Sequence, residues 1–73
     1  MEDTGWHGEP VKVPPFVLEG IKAVKTSGKV DAFDSLAVEC LAVRLGYPQT
    51  ARWIKCHPTL YIVGVLYGFE PNN

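Results

Sequence analysis

Apolar positions in this chain fall into four stretches of helical spacing, each bounded by proline or glycine. In the first, Phe16, Val17, Ile21 and Val24 recur every three or four residues, with Lys22 and Lys25 on the other side, as on an amphipathic helix. Pro15 suits the first helical position because its φ is preset, and Gly28 suits the left-handed residue that ends a helix. The second stretch carries Phe33, Leu36, Ala37, Cys40, Leu41 and Leu45, with Asp31 as the expected cap, Asp34 near the positive helix end and Gly46 as the stop. Its apolar face is so wide that it predicts the central helix of the domain. Pro48 opens a third helix over Ala51, Trp53 and Ile54, with Arg52 and Lys55 on its edge. This helix must stop before Pro58, which moves His57 out of the α region. The fourth segment, Thr59 to Tyr67, ends at Gly68. Its Ile62-Val63-Gly64-Val65 centre favours a strand in isolation. Leu60, Val63 and Tyr67 at helical spacing favour a helix, which is preferred because no second strong strand is present to pair with it.

Residues 1–14 lack this periodicity and are rich in proline and glycine, which predicts an extended N-terminal arm ahead of a single helical domain at 15–70. Val11-Lys12-Val13 alternates like a short edge strand, although Pro10 and Pro14 bracket it closely. Trp6 in this polar segment either folds back on the core or anchors a partner. The fold class expected is therefore all-α: a small bundle of three to four short helices with an extended arm.

Composition narrows the class. With 73 residues, 47% of them apolar, the chain makes one domain at most and is too hydrophobic to remain disordered. The net charge of −1 gives no global field for nucleic acid or anionic lipid. Between Pro10 and Leu60, however, seven basic residues face four acidic ones, a local excess of three positive charges behind an acidic arm. Two cysteines are too few for a disulfide scaffold. A polar start and an apolar run of only Leu60 to Phe69 suggest neither signal peptide nor membrane span, so the expected location is the cytoplasm, here that of a bacterial host.

Candidate chemistry is sparse. His7, Cys40, Cys56 and His57 lack the paired spacing of a zinc site, and Cys40 on an apolar helix face reads as a small hydrophobe. A Cys–His pair is conceivable, but a chain this short has little room for a pocket holding substrate, nucleophile and base. Asp31 and Asp34, the close carboxylate pair, are explained by capping, and the glycines are dispersed rather than gathered into a phosphate loop. No enzyme, metal or cofactor is expected.

The segment from Leu41 to Lys55 resembles a helix-turn-helix, with Gln49 and Thr50 at the start of the second helix to meet bases. The register fails, though. Aligning on Leu45-Gly46 puts Arg52 where a buried Ile or Val belongs, and aligning on Trp53-Ile54 leaves the segment two residues short. Two packed helices with a tight turn is the preferred reading.

A wider pattern runs through Ile21, Val24, Ser27-Gly28-Lys29, Asp31-Ala32-Phe33-Asp34, Ala37-Val38, Leu41-Ala42, Leu45-Gly46-Tyr47, Ala51, Trp53-Ile54, His57 and Tyr61. In these residues the chain resembles a group of very short phage and prophage proteins known only as a domain of unknown function. The long arm and the prolines at 48 and 58 depart from that group. The resemblance implies phage origin and no particular reaction. It leads to the expectation of a stoichiometric inhibitor of a bacterial antiviral defence complex, of the anti-CRISPR kind, with a host protein complex as partner. Trp6, Tyr47, Arg52, Trp53 and Tyr67 are the expected anchors, since aromatic residues and arginine dominate interface energetics. Two alternatives stay open. One is a DNA-binding or transcription accessory protein using Gln49, Thr50, Arg52 and Lys55. The other is an oligomeric sponge, a homodimer for instance, that sequesters a nucleotide through Lys22, Lys25, Lys29 or Arg52.

Overall fold

The computed structural model describes residues 9–72 of the chain. A short strand, β1 (Val11–Val13), is followed by α1 (Pro15–Ser27), α2 (Ser35–Arg44), α3 (Pro48–Cys56), α4 (Pro58–Tyr67) and a second short strand, β2 (Phe69–Pro71). The body is all-α, as the periodicity predicts, and the fourth segment is a helix. Prolines stand at the first turn of α1, α3 and α4, where the missing N–H costs nothing. Gly28 ends α1 in the left-handed region. Gly46, at φ +96°, ends α2. There the Tyr47 N–H donates to the Ala42 carbonyl at 2.8 Å and the Gly46 N–H to that of Val43 at 3.1 Å, a Schellman closure.

Several details differ from the expectation. Asp34, not Asp31, caps α2, its carboxylate accepting from the Ala37 N–H at 3.2 Å. The Asp31 side chain instead accepts from the Phe33 N–H at 2.9 Å and closes the preceding turn. Phe33 therefore precedes the helix and is 54% exposed rather than core. The face that α2 buries is Val38, Leu41 and Ala42, whereas Leu36, Cys40 and Leu45 are exposed. Hydrophobicity could not select the face, because α2 is apolar almost all round; contact with α1, α3 and α4 selected it.

The segment expected as an arm is described from Glu9 onward, and its end belongs to the packed domain: Val11 and Val13 are buried. β1 and β2 pair in parallel, Val11 opposite Phe69 and Val13 opposite Pro71, so the two ends of the described chain meet. The prolines fit because Pro10 and Pro14 flank the strand rather than interrupt its ladder. The Val11 N–H still reaches the Gly68 carbonyl at 2.9 Å.

Two apolar clusters result. Val24, Val38, Leu41, Ala42, Ala51, Ile54 and Tyr61 form one among the helices, and Val11, Val13, Val17, Leu18 and Ile21 form the other around β1. Trp53 and Phe69 touch both, edge to face with ring centres 6.4 Å apart. Two glycines allow the close approaches. A Cβ on Gly20 would overlap the Thr50 side chain, with Thr50 Cβ only 2.6 Å away, and one on Gly64 would enter the Phe69 ring.

Candidate binding cleft

The outer face of α3 is set by its spacing: Gln49, Arg52, Trp53 and Cys56 project together at intervals of three and four. The start of α1 lies across from them. Pro14, Phe16, Val17, Gln49, Arg52, Trp53, Cys56 and His57 enclose a cleft of about 340 Å³, open to solvent. Phe16 contributes one wall and is 51% exposed.

Thr50 holds the two walls in register. It is completely buried, and its hydroxyl donates to the Val17 carbonyl at 3.2 Å, with the Phe16 carbonyl at 3.5 Å. These carbonyls belong to the first turn of α1, so Thr50 ties that turn to α3. Gly20 lets the backbones come close enough for the bond to form. The floor is equally fixed. The His57 ring stacks on Trp53 with centres 4.8 Å apart and planes 26° from parallel. His57 Nδ1 lies 3.0 Å from the Trp53 carbonyl. A carbonyl only accepts, so Nδ1 is the donor in this contact.

The residues proposed from the sequence are only partly brought together. Arg52, Trp53 and Gln49 share the cleft. Tyr47 is half-buried and lines a separate shallow groove of about 600 Å³ with Lys22 and Leu45. Tyr67 is exposed at the far end of α4. Lys25 borders a small recess beside Tyr61 and Phe69, Lys29 another beside Cys40 and Arg44, and Lys55 is exposed near the end of α3. Trp6 and His7 lie outside the described residues. Thr50, expected at a nucleic-acid surface, is a correction: full burial withdraws it from any such contact and makes it a positioning residue. Among the described residues, no three His, Cys, Asp or Glu side chains gather as metal ligands, and no helix is long and apolar enough to cross a membrane.

Compared with protein-family models, curated proteins and solved structures, the chain matches none.

Sequence reading missed Phe16 as a wall of the cleft. Its helical spacing assigned it to the buried face of α1, yet Val17, Leu18 and Ile21 take that face and Phe16 turns toward α3. The adjacent Pro14-Pro15 pair was the available signal, since it fixes where the helix starts and hence which residue occupies its open first turn.

Proposed function

We propose that this chain is a non-catalytic binding domain that grips a protein partner through the Phe16–Arg52–Trp53 cleft. The observation that carries the reading is the cleft itself: two aromatics and an arginine, the preferred anchor types, held in place by a fully buried threonine. The Thr50 tie fixes the backbones of both walls before any partner arrives, which lowers the cost of binding. The open mouth suits an inserted side chain or extended segment better than an enclosed metabolite. The resemblance to short phage proteins supplies the setting, stoichiometric inhibition of a bacterial antiviral defence complex in the host cytoplasm. The DNA-binding reading loses Thr50 to full burial, which leaves it Gln49 and Arg52 in the cleft and Lys55 exposed outside it.

The test is capture of partners from bacteria expressing defence complexes, using immobilised parent, Arg52→Ala and Phe16→Ala proteins. A defence-complex subunit should be retained by the parent, and each variant should lose ~2 kcal/mol of binding, roughly 30-fold. Retention of duplex DNA with a steep salt dependence would replace this reading with the nucleic-acid one. A raised melting temperature with nucleotides alone would replace it with the sponge.

A further inference from the structure

The side of α2 that faces away from the core is also apolar. At about 100° per residue, Leu36, Cys40 and Val43 lie together, opposite the buried Val38, Leu41 and Ala42. Leu36 is 72% exposed and Val43 54%, and Cys40 between them is exposed as well. The intervals of four and then three are those of the d and a positions along a coiled-coil seam.

Charge indicates what covers this row. Glu39 flanks it on one side and Arg44 on the other, five residues apart. With Leu36 and Val43 at d and Cys40 at a, Glu39 takes position g and Arg44 position e. Lys29 borders the same recess as Cys40 and Arg44, which makes that flank more basic. A face acidic along one edge and basic along the other is complementary to itself. In a parallel pair related by a two-fold axis, each g position meets the partner's e position five residues on, so Glu39 meets Arg44 twice. An antiparallel pair would set Glu39 against Glu39 and Arg44 against Arg44.

We propose that a second copy of this chain covers the outer face of α2, forming a parallel two-fold dimer with Leu36, Cys40 and Val43 along its axis. Ten residues span about 15 Å, so the seam has few layers and the dimer is weak and reversible. The cleft between α1 and α3 takes no part and stays open in each copy.

The parent protein, at concentrations up to ~1 mM, should show a concentration-dependent dimer by sedimentation equilibrium. Leu36→Asp should be monomeric throughout and, at dilute concentration, should melt as the parent does, because the side chain is exposed in the monomer. Glu39→Arg and Arg44→Glu should each weaken the dimer several-fold, and the double exchange should restore it. In the Cys56→Ser background, copper-catalysed air oxidation should cross-link the chain through Cys40, and Leu36→Asp should prevent it. A parent that stays monomeric at ~1 mM would overturn the proposal. So would a dimer indifferent to Leu36→Asp, and a double exchange that fails to restore association would exclude the parallel register. If instead Leu36→Asp abolished capture of a host protein by a monomeric parent, the face would belong to a foreign partner. The association and cross-linking outcomes are independent of the Arg52 and Phe16 tests of the cleft.

Discussion

Helices α2 and α3 each bury three side chains, yet their outer faces are opposites. On α3 the exposed positions include Gln49, Arg52 and Lys55, a normal solvated edge interrupted where Trp53 borders the cleft. On α2 they are Leu36, Cys40 and Val43, with Arg44 the one charged residue among them. Amphipathicity is therefore strong in α3 and nearly absent from α2, although both bury the same number of side chains. Hydrophobic content is thus a poor guide to burial when a helix is apolar on two sides. One face of α2 answers to the fold, and the other is available for something else.

Substitution tests this contrast, and the largest effect belongs to the inner face of α3. Ile54→Ala should cost ~2–5 kcal/mol in denaturant unfolding, since Ile54 is fully buried where α3 meets the helical cluster. A loss below ~1 kcal/mol would place the core elsewhere. Next comes Gly20→Ala, which forces a methyl group into Thr50 and Tyr47. It should destabilise by ~1–3 kcal/mol, and it should weaken partner binding as well because it pushes α1 away from α3. A Gly20→Ala protein as stable as the parent would mean that the α1–α3 crossing is loose.

Tyr61 probes the contrast from the other end, because it anchors the turn from which α2 starts. Its hydroxyl donates to the Ala32 carbonyl at 2.7 Å, and Tyr61→Phe should cost ~1 kcal/mol. Burial, and secondarily the nearby Asp31 carboxylate, pushes the phenol up from 10.0 to about 12. The unfolded chain therefore releases this proton first as pH rises. The stabilisation is complete below about pH 10 and is lost as pH climbs through about 12. Melting curves over this range should fall more steeply for the parent than for Tyr61→Phe; parallel curves would remove Tyr61 as the cause. The smallest effect is expected on the outer face of α2. Leu36→Gln should stay within ~0.5 kcal/mol of the parent at dilute concentration, since the side chain is exposed. A loss as large as that of Ile54→Ala would erase the distinction between the two faces.

Much of the local structure was legible in the residues. Pro15, Gly28, Gly46, Pro48, Pro58 and Gly68 mark the helix limits because their backbone preferences act without tertiary context. The cleft was legible in part: Arg52 and Trp53 were both expected as partner anchors, and the structure places both in it. Its opposite wall was not, because no periodicity within α1 says that Phe16 turns toward α3. β2 was missed for a similar reason. Three residues with a proline among them have no strand signal of their own, and they pair only because β1 is held nearby.

Local residue preferences were enough to dictate the first three helices, where α1 and α3 begin and end, and which edge of α3 is polar. Those outcomes depend on φ preferences, capping and periodicity, all of which act within a few residues. Long-range packing was needed to choose which side of α2 faces inward, to bury Thr50 as a strut rather than offer it to a ligand, and to join Val11–Val13 to the chain's other end. These depend on contacts between residues such as Thr50 and Val17, 33 positions apart. Where the apolar pattern admits two faces, or a hydroxyl two environments, the packing partner makes the choice.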